Sequence, residues 1–101
     1  MRLYDLAKVV RSKNAGPFTF TIDLVFSDAA TYERVLTSPS LARPAIAALY
    51  GVAVEDVLIR PFAGIRTIKI ALPRRLSAGA PGDVDVYGSQ QHFPLAGLEI
   101  V

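Results

Sequence analysis

Between Phe18 and Phe26 the chain alternates without a break. Phe18, Phe20, Ile22, Leu24 and Phe26 fall on one side; Thr19, Thr21, Asp23 and Val25 fall on the other. That period of two predicts a strand with one face in a core and one face in a more polar setting. The periodicity then changes. Ser27-Asp28 offers side-chain oxygens that cap a helix, and Ala29, Tyr32, Val35 and Leu36 recur at helical spacing. Thr37-Ser38-Pro39-Ser40 ends this helix, and Pro44 suits the first turn of a second, where its missing N–H leaves no bond unmade. Ala45, Ile46, Ala48 and Leu49 form that helix's apolar side, and Gly51 is placed to close it in the left-handed conformation.

Two further strands are predicted over Val57–Phe62 and Ile65–Leu72, joined by a tight turn at Ala63-Gly64 in which Gly64 supplies a positive φ. Pro61 lacks a donor and marks a sheet edge or bulge. On the second of these strands Ile68, Ile70 and Leu72 face one way, Thr67 and Lys69 the other. Arg74 to Gly82 is a loop of small residues, Asp83–Val86 a short strand, and Leu95–Val101 a final strand with Leu98 and Ile100 on one face. Leu3–Val10 fits a helix through Leu3, Leu6, Val9 and Val10, and fits a strand through its β-branched pair. The sum is a single α+β domain over residues 1–101, a ferredoxin-like sandwich with helices on one face of an antiparallel sheet.

Composition narrows the classes. Hydrophobic residues make up 51% and charged residues 20% of the 101 residues, a globular balance with room for only a modest core. A net charge of +2, with Lys8, Arg11, Lys13 and the Arg74-Arg75 pair dispersed, gives no nucleic-acid stripe. There is no cysteine, so disulfides, thiolate metal sites and cysteine nucleophiles are excluded. With no apolar leader and no apolar run of membrane length, a cytoplasmic protein is expected.

Two polar, glycine-containing stretches are candidates for chemistry. In Arg11-Ser12-Lys13-Asn14-Ala15-Gly16-Pro17 two cations, hydrogen-bonding Ser12 and Asn14, and Gly16, which lets backbone approach a ligand, suit a small anionic ligand. The competing reading is a solvated turn shaped by Asn14 and Gly16. In the stretch from Gly82 to His92, Asp83 and Asp85 point to one side of a strand. Asp85 and His92 are the candidate catalytic acid and base, while Asp83, Tyr87 and Gln91 are candidates for contacting substrate. Two carboxylates and one imidazole are few ligands for a hard cation, so no metal and no cofactor are expected. The competing reading is strand-end and turn aspartates with a surface histidine.

Leu3-Tyr4-Asp5-Leu6-Ala7, the Arg11–Phe18 stretch, Ala48-Leu49-Tyr50-Gly51-Val52, Ile68-Lys69-Ile70 and the Gly82–His92 stretch together resemble a family of bacterial proteins of about this length with no assigned function. That family is similar to the small C-terminal domain of the acyclic terpene utilisation AtuA-like proteins. Asp5-Leu6-Ala7 matches an Asp-Leu-Ala opening there, and Arg11-Ser12 matches the start of an Arg-Ser-Gly-Asp-Lys-Gly loop. Lys13-Asn14-Ala15-Gly16 departs from the rest of that loop, losing its acid and displacing its base. Near the C-terminus Asp85-Val86-Tyr87-Gly88 parallels an Asp-x-x-Gly pattern whose following Lys is Ser89 here. The resemblance implies an accessory subunit or interaction domain beside a larger AtuA-like protein, in the catabolism of small carboxylic acids or their coenzyme A thioesters. The alternatives are a stand-alone lyase or hydratase and a homo-oligomeric ligand-binding or structural module.

Overall fold

The computed structural model describes residues 2–16, 18–73 and 97–100. It begins with a single helical turn, α1 (Leu3–Leu6), followed by strands β1 (Val9–Asn14) and β2 (Thr19–Val25). Helices α2 (Ala29–Leu36) and α3 (Arg43–Tyr50) come next, and strands β3 (Leu58–Phe62) and β4 (Thr67–Pro73) complete a four-stranded antiparallel sheet of order β1-β2-β4-β3. Two hairpins are thus joined side by side through β2 and β4. The α+β architecture expected from the sequence, an antiparallel sheet with helices, is present. The expected strand at Asp83–Val86 lies outside the described residues; of the final strand expected over Leu95–Val101, the described part, 97–100, forms no strand. Of the C-terminal stretch, Glu99 forms an isolated bridge to Arg2, and Ile100 is buried.

The alternation in β2 makes the core. Phe20, Ile22 and Leu24 are at most 2% exposed, and they stand opposite Leu72, Ile70 and Ile68 of β4, all fully buried. The helices bury Tyr32, Val35, Ile46 and Ala47 in the same cluster, and α1 adds Leu3. Two ring contacts lock the layers: Phe20 to Tyr50 at 5.8 Å between centroids and Phe26 to Tyr32 at 6.3 Å, near edge-on. Phe18 is the exception to the pattern. It lies before the strand and is exposed, because the turn has not yet entered the sheet.

Local chemistry sets the helix ends as the sequence indicates. The Asp28 carboxylate accepts the Thr31 N–H at 2.7 Å, capping α2. Pro44 stands in the first turn of α3, and Gly51 closes it at φ 67°. Arg43 braces the following 3-10 turn, donating from Nε to the Val57 carbonyl at 2.9 Å and from Nη2 to that of Val54 at 3.1 Å.

Two expectations are corrected. The stretch Arg11–Pro17 is not one loop. Val9–Asn14 is a strand, since β-branched Val9 and Val10 start a run that pairs fully with β2, and the turn is confined to the residues between the strands. The β3–β4 connection is also longer than a two-residue turn. Ala63–Ile65 form a 3-10 turn and β4 starts at Thr67, so Ile65 belongs to the turn. The left-handed residue is Arg66, at φ 50°, and not Gly64. Arg66 is held there because its carbonyl accepts the Phe26 N–H, its own N–H donates to Ala63, and its guanidinium donates to the Ser27 carbonyl. Those bonds offset a conformational cost of about 1–2 kcal/mol.

Ala15 N–H donates to the Thr19 carbonyl. Following alternate pairs across the sheet from there puts Pro61 opposite Ile68 at a position without ladder bonds, its missing donor turned to the free edge of β3.

Gly51→Ala is expected to lower stability by about 1 kcal/mol in urea unfolding, since the site is open to a methyl group and only the backbone conformation resists it. The Asp28 cap gives a pH signature. Its bonds from the Thr31 N–H and hydroxyl hold the carboxyl below the usual value of 3.8. A lowered folded value stabilises the fold above the unfolded value, and the contribution is lost as pH falls through the folded value. The stability difference between the protein and Asp28→Ala should therefore be full at neutral pH and shrink below about pH 3.8.

Candidate functional site

The register of the sheet decides which polar side chains meet. Arg11 pairs with Asp23, Asp23 with Lys69, and Lys69 with Arg60, so one row crosses all four strands. It lies on the face opposite the helices, because these residues alternate with the buried set of β2 and β4. The neighbouring rows on that face are Val9, Val25, Thr67 and Phe62 on one side and Lys13, Thr21, Ala71 and Leu58 on the other. Among the described residues this outer face adds nothing to the hydrophobic core cluster.

Asp23 is the centre of the row. Its side chain is 8% exposed, with Arg11 Nε 3.5 Å from Oδ2 and Lys69 Nζ 3.5 Å from Oδ1. Both separations exceed the 2.7–2.9 Å usual for charge-assisted hydrogen bonds. Oδ1 is buried and accepts no hydrogen bond, so its contact with Lys69 is an ion pair without a directed bond. The Thr21 hydroxyl, two residues earlier on the same face, is also covered and unbonded. Buried polar atoms nearly always have a partner, and two neighbouring exceptions on one sheet face are unusual. The Arg11 side chain is 69% exposed, so its ion pair contributes at most about 1 kcal/mol.

Next to Asp23 the face is hollow. A concavity of about 300 Å³ lies between Arg11, Asp23 and Lys69 on one side and Val25, Phe62 and Ile65 on the other. Phe62 and Ile65 are exposed, as are Val9 and Leu58 at the margins of the face.

The strand geometry divides the first candidate stretch. Arg11 and Lys13 point to the outer face. Ser12 and Asn14 stand opposite Ile22 and Phe20 on the helix side, where Ser12 is buried and both have polar contacts of their own. Gly16 is in the turn at φ 107°. Asp83, Asp85, Tyr87, Gln91 and His92 lie outside the described residues. Sequence reasoning placed Asp23 and Lys69 on the polar sides of their strands but did not single them out. Their opposite charges on two amphipathic strands were the available signal; the register that joins them was not. Among the described residues no group of acidic or histidine side chains is arranged to hold a metal ion, and no helix is long and apolar enough to cross a membrane.

These features define an α+β domain with one sheet face packed by helices and one polar, partly apolar-rimmed face carrying the candidate chemistry. The chain belongs to the DUF4387 family, a domain of unknown function whose model matches residues 3–99. No curated protein and no solved structure shows a significant match to it.

Thr21→Val keeps the shape of the side chain, suits a strand and removes the unbonded hydroxyl. It is expected to raise stability by about 1 kcal/mol, read as an increased urea midpoint with an unchanged slope.

Proposed function

We propose that this domain is an accessory subunit that docks through the outer face of its sheet onto a larger AtuA-like protein, and that the pair acts on small carboxylic acids or their coenzyme A thioesters. The observation that carries this reading is the outer face itself. Arg11 and Lys69 flank one carboxylate, Asp23, with Lys13 and Arg60 on the same face, while Val9, Leu58, Phe62 and Ile65 stand exposed. A basic centre with apolar margins is complementary to an acidic surface that has apolar side chains of its own. The choice of an AtuA-like partner rests on the resemblance of Asp5-Leu6-Ala7 and Arg11-Ser12 to that group's small domain. In this reading Arg11 lies where the partner meets the sheet, beside the bound acid, while the helix side serves only as scaffold.

The test is co-expression of the two proteins followed by sizing. A single complex is expected, weakened about tenfold or more by the double variant Lys13→Glu/Arg60→Glu and by raised salt. Separate elution of the two folded proteins would remove the proposal.

A further inference from the structure

The hollow beside Asp23 has a cation at its wall and, next to that cation, an acceptor covered from solvent, so a ligand donor reaches the acceptor only when the side chains over it move aside. Oδ1 of Asp23 is a buried acceptor without a donor. Lys69 Nζ has three donors and, among the described residues, one distant contact, to that same oxygen. Arg11 approaches the other oxygen, Oδ2, and so orients the carboxylate with Oδ1 toward Lys69. The Thr67 hydroxyl is already committed, donating to the Ile65 carbonyl at 3.0 Å. A ligand completing this arrangement needs a donor for Oδ1 and, within one or two bonds of it, an anion for Lys69. Its remaining atoms meet Val25, Phe62 and Ile65, which are apolar. A concavity of about 300 Å³ is at the small end of ligand sites, so the apolar part is a short chain.

We infer that this concavity binds a small carboxylic acid with a hydroxyl or ammonium group on its α-carbon and a short apolar side chain. The donor group hydrogen-bonds to Asp23 Oδ1, the ligand carboxylate pairs with Lys69, and the side chain packs on Phe62 and Ile65. Arg11 acts as a positioning residue through Asp23. Hydroxy and amino acids share the required chemistry, a donor adjacent to an anion. The inference rests on reading the outer face as the functional one, and it adds the ligand class to that reading. It also accounts for an orphaned acceptor in the centre of a sheet, where an apolar residue would have served stability better.

The experiment is an amide-resolved NMR titration of the isolated, full chain with leucine, its α-hydroxy analogue and isocaproate, which has the same carboxylate and chain without the donor. Shifts are expected at Asp23, Ile65 and Lys69, with at least one of the two donor-bearing acids bound about tenfold or more tightly than isocaproate. Leucine alone would identify an amino-acid site, and the hydroxy acid alone a hydroxy-acid site. Asp23→Val, which removes the acceptor and suits a strand, is expected to remove the preference while leaving isocaproate binding in place, and Lys69→Met to weaken all three. Absence of shifts on the outer face, or equal binding of isocaproate and both donor-bearing acids, overturns the inference without any variant being needed. Because no partner protein is present, failure here leaves the docking proposal to its own sizing experiment, and failure of docking leaves this titration unaffected.

Discussion

β2 lies between β1 and β4, so its backbone is bonded on both edges and its side chains are committed on both faces. A one-residue slip of this strand would turn Phe20, Ile22 and Leu24 out of the core and bring Thr21 and Asp23 into it. The penalty fixes the register, and the register in turn fixes the outer face. Asp23 meets Arg11 and Lys69 only because Ile22 and Leu24 must meet Ile70 and Ile68. The candidate site is therefore a consequence of the core's alternation, expressed on the opposite side of the same strand.

That arrangement has an energetic cost where it could easily have been avoided. In a domain of this size the core is small, and each unmet polar group removes a noticeable part of the margin. Valine at position 21 and a hydrophobic residue at position 23 would suit the strand. The chain instead holds a covered hydroxyl and a carboxylate whose ion pairs are both long. Elsewhere the same chain satisfies its polar groups carefully: Asp28 caps α2, Arg43 donates to two carbonyls, and Arg66 binds Ser27 from a left-handed conformation. The contrast between those bonded groups and the two orphans on one face is the physical argument for function there.

Elements governed by local chemistry were legible in the sequence. β2 announced itself by strict alternation, α2 by its capping aspartate, and α3 by Pro44 at its start and Gly51 at its end. What was not legible depended on bonds between distant segments. Gly64 is by residue type the natural position for a positive φ, but Arg66 takes it two residues later, donating to Ala63 and Ser27 and accepting from Phe26. Arg11, Ser12, Lys13 and Asn14 read as one polar loop from the sequence, but neighbours in sequence are not neighbours in space here. Pairing with β2 makes them alternate, sending the cations outward and Ser12 and Asn14 inward. Arg11 and Lys13 thus remain candidates for holding an anion, while Asp23 and Lys69 join them only once the strand register is known.

A docking face and a ligand hollow on one small sheet are compatible demands. The polar row runs through the middle of the face, where β2 and β4 are bonded on both sides. The exposed apolar residues lie on the outer strands and the β3–β4 turn: Val9 on β1, Leu58 and Phe62 on β3, and Ile65 beyond it. A protein seated on those margins would exclude water from the row without having to displace it, and removing water strengthens every interaction of Asp23 and Lys69 with a bound acid. The orphaned Oδ1 then becomes easier to understand. Its missing donor is a liability in the isolated domain and a source of selectivity in a closed one, because a ligand without the donor would leave a buried acceptor unpaired in a drier site. The helices supply none of this chemistry, but by holding Ile22 and Leu24 in place they keep Asp23 from turning away.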